Sequence, residues 1–168
     1  MSDKTITQLA KVIAAIKAEK QNIDQAAEFV RSAAVLNTPV NSGHLRNNIF
    51  VESYDEGKMH VAEVYTRVQY APYVEFGTGP KGAASHDGIS PEVSPSYTLE
   101  PWWIHESQID IGIAEKYRWS YITTPQGKFY RCYGQPAQPF LYPALHDNED
   151  IVRDIIAKGY KRAMEEAL

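Results

Sequence analysis

The sequence predicts an α+β fold: a long N-terminal helix and a C-terminal helix packed on a small, mainly antiparallel sheet, with a long aromatic-rich insertion. Three observations predict it. Apolar residues recur at helical spacing at both ends of the chain, and the composition turns β-branched and aromatic after residue 48. Between 79 and 138, turn residues and aromatics gather without a sustained period. At 168 residues the chain has the size of one ordinary domain, so a single unit is expected. Its parts are the N-terminal helix (1–36), a hairpin with a short helix (48–78), the insertion (79–138) and the C-terminal helix (139–168).

The N-terminal helix rests on Ile6, Leu9, Ile13, Ile16, Ile23, Ala27, Val30 and Ala34, spaced alternately by three and four. Lys20 fills the one position where the series calls for an apolar residue. It is either a polar insert in a packed seam or the junction of two helices. Thr5 with Gln8 has capping-box spacing, and Asn37-Thr38-Pro39 ends the segment, because proline pushes its predecessor out of the helical region.

After Asn41-Ser42-Gly43, two strands are expected at 49–54 and 59–68, joined by the turn Asp55-Glu56-Gly57-Lys58. In the second strand, His60, Ala62, Val64, Thr66 and Val68 share the face better suited to the core. Pro72 suits the first turn of a short helix and Gly77 its exit, with Tyr73 and Phe76 anchoring one side in the core.

In the insertion, Gly82–Ser96 has the small, polar, proline-punctuated composition of a mobile loop. Strands are expected near Trp102–Ile104, Trp119–Thr123 and Phe129–Tyr133, extending the hairpin sheet. The connector Gln135–Ala144 then places Pro143 at the start of a final helix marked by Ile151, Val152, Ile155, Ile156, Tyr160, Ala163, Met164 and Ala167.

Bulk properties exclude several classes. With 43% hydrophobic and 23% charged residues the chain is globular in composition. A net charge of -4, from 17 basic and 21 acidic residues, cannot neutralise many phosphates, which argues against wrapping nucleic acid. Cys132, the one cysteine, excludes an internal disulfide and a thiolate zinc cluster and is expected as a small buried hydrophobe. No secretory leader and no membrane association are expected, since no apolar run approaches about 18 residues.

Three ordered motifs then carry a resemblance. Pro39-Val40-Asn41-Ser42-Gly43-His44-Leu45-Arg46, Tyr70-Ala71-Pro72-Tyr73-Val74-Glu75-Phe76-Gly77-Thr78 and Pro139-Phe140-Leu141-Tyr142-Pro143-Ala144 resemble the neck and minor tail (tail-completion, head–tail joining) protein family of lambdoid long-tailed bacteriophages. The family usually has Asp-Thr-Gly where this chain has Asn41-Ser42-Gly43, and 79–138 matches no motif of the family. The resemblance implies a non-enzymatic virion protein without cofactor, catalytic or metal site. It further implies a homo-oligomeric ring at the head–tail junction, formed on assembly in the host cytoplasm of a phage or prophage. Neighbouring head-closure and tail-terminator proteins would be its partners, and DNA would pass through the channel without tight binding.

In the motifs, Gly43 is expected to take a positive φ, with Asn41 and Ser42 capping the turn. Glu75 either accepts from the following glycine-rich turn or pairs with Arg46, within or between subunits. Partner specificity is assigned to the unmatched block, with Gly82, His86, Asp87, Pro91, Trp102 and Trp103 as candidate contacts. Two rival classes use the same block. A metal hydrolase would draw on His86-Asp87 and His105-Glu106, but no metal-ligand spacing, phosphate loop or nucleophile elbow is present. A carbohydrate-binding module would stack sugars on Trp102, Trp103 and Trp119, positions that more often serve a core.

Overall fold

The computed structural model describes residues 3–57 and 59–166, with side chains described from Glu19 to Arg162 and at Glu165. In chain order the elements are α1 (Asp3–Asn37), a 3₁₀ turn (Arg46–Asn48), β1 (Ile49–Glu56), β2 (Met59–Thr66), α2 (Ala71–Phe76) and α3 (Gly79–Ala84). They continue with β3 (Trp102–His105), a 3₁₀ turn (Glu106–Gln108), α4 (Ile111–Lys116), β4 (Tyr121–Thr124), β5 (Gly127–Cys132), α5 (Tyr142–His146) and α6 (Glu149–Glu166). This is the expected α+β class. The chain divides into two compact units, one of residues up to 69 together with those from 140 onward, the other of residues 70–139.

In the first unit α1 is one continuous helix, and it packs on the hairpin and on α5 and α6. Its buried side is formed by Asn22, Ala26, Ala27, Val30 and Ala34, so the expected stripe holds at Ala27, Val30 and Ala34. Ile6, Leu9, Ile13, Ile16 and the capping pair Thr5 and Gln8 lie outside the described side chains. The alanines keep this face low, letting the neighbouring elements approach the helix backbone.

The hairpin strands pair antiparallel from Ile49↔Thr66 to Glu56↔Met59, so β1 runs two residues further than expected and the turn is correspondingly short. Lys58, the last residue of the expected turn, is outside the described residues. Alternation puts Ile49, Ala62 and Val64 towards α1, while Phe50, Tyr54 and Met59 are exposed on the other face. An apolar cleft of about 300 Å³ is lined by Ile23, Ala27 and Val30 of α1, Val64 of β2, and Val152 and Ile156 of α6. Pro143 starts α5 and not the final helix. A turn in which Asp147 N donates to Pro143 O (3.1 Å) separates α5 from α6. Ala163, Met164 and Ala167 of the expected α6 stripe lie outside the described side chains.

In the second unit, β3, β5 and β4 form a sheet of their own, in that order and antiparallel throughout. The three expected strands exist, but they do not extend the hairpin sheet, which has only β1 and β2 among the described residues. Their register puts Tyr130 and Cys132 on the buried face, and Cys132 is the small buried hydrophobe expected. Residues 82–84, the start of the stretch expected as a mobile loop, belong to α3. Its first turn contains Pro80, which has no N–H to leave unpaired there.

Candidate functional site

The first motif is a turn that delivers a hydrophobic anchor. Gly43 has φ +79, as expected, and Ser42 Oγ accepts from His44 N at 3.4 Å. Asn47 N donates to Gly43 O (3.0 Å), winding the chain into the turn that Arg46 opens. Leu45 is buried in the helix–hairpin unit, while Pro39 stays exposed.

The second motif builds a backbone crossing in the other unit. Thr78 and Gln135 bridge, with Thr78 N donating to Gln135 O (2.8 Å) and Gln135 N returning to Thr78 O (3.1 Å). Around them, Gln138 N donates to Val74 O (2.8 Å), Gln135 Nε2 to Tyr73 O (2.7 Å) and Tyr97 Oη to Phe76 O (2.7 Å). Two segments nearly sixty residues apart thus meet through their main chains. Glycine is required for this: a Cβ on Gly134 would stand 1.9 Å from Thr78 O, and one on Gly77 2.6 Å from Ala137 N. Both also have positive φ, which side chains oppose.

The helix of this motif buries Ala71 and Glu75, the latter 5% exposed, and not the expected pair. Tyr73 is 60% exposed and Phe76 only half-buried, because six residues form too short a helix to choose its face by periodicity, and the crossing chooses it instead. Tyr70 precedes the helix, exposed. Arg46 is part-exposed in the helix–hairpin unit, whereas Glu75 belongs to the other.

The third motif is divided. Pro139 ends the second unit; Phe140, fully buried, Leu141 at the cleft, Pro143 in the first turn of α5 and buried Ala144 belong to the first.

The candidate contact residues do not form one surface. Gly82 is buried beneath Tyr97, where a Cβ would meet the ring at 2.8 Å, and His86 Nδ1 bonds Gly82 O at 3.0 Å. Trp102 lies over Gly79, and Trp103, 46% exposed, points to the opposite face of β3. Asp87 and Pro91 are exposed in the irregular segment between α3 and β3. His105 bonds Ser107 Oγ (2.7 Å) and Gln126 O (2.9 Å), and Glu106 accepts from Lys128 N (3.1 Å), so both tie down a turn. Among the described residues, no group of three or more His, Cys, Asp or Glu is arranged to hold a metal ion, and no helix is long and apolar enough to cross a membrane.

Sequence reasoning missed an ionic cluster. His60 Nδ1 lies 2.7 Å from Asp55 Oδ1 and His60 Nε2 lies 3.0 Å from Asp24 Oδ1, while Lys20 Nζ donates to Asp55 Oδ2. Only an imidazolium can donate to both carboxylates. The bond to Asp55, then that to Asp24, raises the His60 pKa against the opposing effect of burial. Asp55 is held below its ordinary value, first by Lys20 and then by His60. The visible trace in sequence was Lys20 itself: it is a polar insert in a continuous helix, and its ammonium reaches the hairpin.

Residues 3–77 match the model of the HK97-gp10-like family, described as "Bacteriophage HK97-gp10, putative tail-component". The match fits a neck and tail protein family of phages. No curated protein and no solved structure was found to match the chain. The tail-component match takes in α1, the first motif, the hairpin and the second motif through Gly77, and stops one residue before the Thr78 crossing. It supports a structural role in a phage tail, among other virion proteins.

Proposed function

We propose that this chain is a non-enzymatic structural component of the head–tail junction of a long-tailed phage or prophage, acting in neck formation or tail completion. The observation that carries the reading is the tail-component match over residues 3–77, together with the third motif, Pro139–Ala144, which follows the match in the order the resemblance requires. The chain assembles as a homo-oligomeric ring in the virion, contacting the neighbouring head-closure and tail-terminator proteins. Copies joined head to tail close into a ring when the rotation between them allows it. DNA passes through the channel without tight binding, in keeping with a net charge of -4 that has little capacity to replace phosphate counterions. Oligomer formation on assembly requires no cofactor.

Light scattering of the purified chain, alone and mixed with the products of the neighbouring genes, tests the assignment. A defined multimer in the mixture is expected. Failure to join any head or tail intermediate would refute the junction role.

A further inference from the structure

Each unit carries one exposed sheet face, and the two are chemically unlike. On the hairpin, alternation brings Phe50, Glu52, Tyr54 and Glu56 of β1 to the same face as Met59, Val61, Glu63 and Tyr65 of β2. Phe50, Tyr54 and Met59 are exposed there, Met59 at 65%, and so are all three glutamates. Glu52 stands directly opposite Glu63, and like charges in that position destabilise an isolated hairpin. The acidity registers on Tyr54. Its hydroxyl donates to Glu63 Oε1 (2.6 Å), and that bond, followed by burial and the charges of Glu63, Glu56 and Glu52, raises the phenol pKa.

The three-stranded sheet presents the counterpart. Opposite its buried Tyr130–Cys132 face, the strands place Trp103 and His105 of β3, Ile122 and Thr124 of β4, and Phe129 and Arg131 of β5 on one side. Trp103, Ile122 and Arg131 are exposed. Tyr133 continues this row beyond β5, with the Arg131 guanidinium 5.2 Å from its ring centre. Arg131 is the exposed cation of this face; the Glu106 carboxylate lies at its other end, where a Cβ on Gly127 would stand 2.7 Å from Glu106 Oε1.

We infer that these two faces are the two halves of a copy-to-copy contact: the acidic, aromatic face of the hairpin in one subunit docks on the aromatic, Arg131-bearing face of the three-stranded sheet in the next. The occupant is a second copy because the faces complement each other twice over. Each offers aromatic area of the kind that anchors interfaces; on the hairpin face Arg67 lies over Tyr65, and Arg131 of the next copy supplies a cation to the opposed Glu52 and Glu63. Two different patches meeting head to tail make the heterologous contact that a ring needs. The inference rests on the proposed ring and names the surfaces that close it.

Charge exchange tests it. R131E alone and E52K/E63K alone should each weaken self-association at least about ten-fold by sedimentation or light scattering, with unchanged circular dichroism showing that both variants fold. The combined variant, R131E with E52K/E63K, restores the opposite signs in every contact and should regain most of the lost affinity. Full association of either single variant would overturn the contact, as would a combined variant no tighter than its parents. A wild-type chain that joins the neighbouring gene products but never a second copy would overturn the contact while leaving the junction role standing. A chain that joins neither would end both.

Discussion

In the helix–hairpin unit, segments distant in the chain meet through side chains: Ala27 and Val30 against the hairpin and α6, Lys20 and Asp24 against Asp55 and His60. In the unit of residues 70–139, the decisive meeting is main chain to main chain, at Thr78 and Gln135, with glycines keeping the space clear. Side-chain contacts spread their cost over many atoms and tolerate conservative change. A glycine crossing concentrates it at one Cβ position, where a single methyl does the damage of a lost core residue. The family match runs through the whole hairpin and halts at the edge of the crossing, so the better matched part is also the periodic one.

Four tests, built on five substitutions, sharpen that contrast. The largest effect is expected for Phe140→Ala, which empties a fully buried ring site of the helix–hairpin unit and should cost about 4 kcal/mol in denaturant unfolding. Next is Gly134→Ala, which adds the strain of a positive φ to a clash with Thr78 O and should cost about 3 kcal/mol. Because Trp102, Trp103 and Trp119 all belong to the 70–139 unit, this variant should alter tryptophan fluorescence while helical circular dichroism persists. An unchanged melting curve would show that the crossing is dispensable.

A smaller effect is expected where α1 and α6 meet. A Cβ on Gly159 would fall 1.9 Å from Asn22 Oδ1, and among the described residues Asn22 Nδ2 is a buried amide without a hydrogen-bond partner. Gly159→Ala should therefore cost about 1 to 2 kcal/mol through overpacking. In an Asn22→Ala background the same change should become neutral or stabilising, by up to about 1 kcal/mol of helix propensity. Additive costs in the double variant would rule out this close approach.

The smallest effect is tied to pH. His60 has a folded-state pKa above its ordinary 6.5, so its stabilising contribution is complete below that value and is lost as pH rises through the raised one. Asp55, held below its ordinary 3.8, contributes above that value and loses its contribution as pH falls through the lowered one. The melting temperature of the wild type should therefore decline by a few degrees from about pH 6 to about pH 8, and His60→Gln should flatten that slope. A slope that survives His60→Gln would place the titrating group elsewhere.

Much of the fold was legible because it repeats. Alternating threes and fours put Ala27, Val30 and Ala34 inward, and period-two alternation did the same for Ala62 and Val64. The positive φ of Gly43 and the exit at Gly77 were legible from local backbone chemistry. Tyr73 was not, since a six-residue helix holds too few positions for a period to select its buried face. Nor was α3, which forms a helix with Gly82 packed under Tyr97 although its last residues open the Gly82–Ser96 stretch that reads as a loop. The cluster around His60 left one sign, the lysine interrupting an apolar stripe, but its partners lay 35 and more residues away.

By itself, the sequence determined the α+β class, the two long helices, the hairpin, the existence of three further strands and the three motifs that point to phage tails. Each depends on periodicity or on neighbours within a few residues, which local conformational preference is sufficient to specify. Only the tertiary structure decided that the late strands form a separate sheet, that Gly77 and Gly134 face one another's segments, and that Glu52 opposes Glu63 on one exposed sheet face while Arg131 stands on another. Those are outcomes of which distant segments meet, and no local pattern encodes a meeting made between one main chain and another.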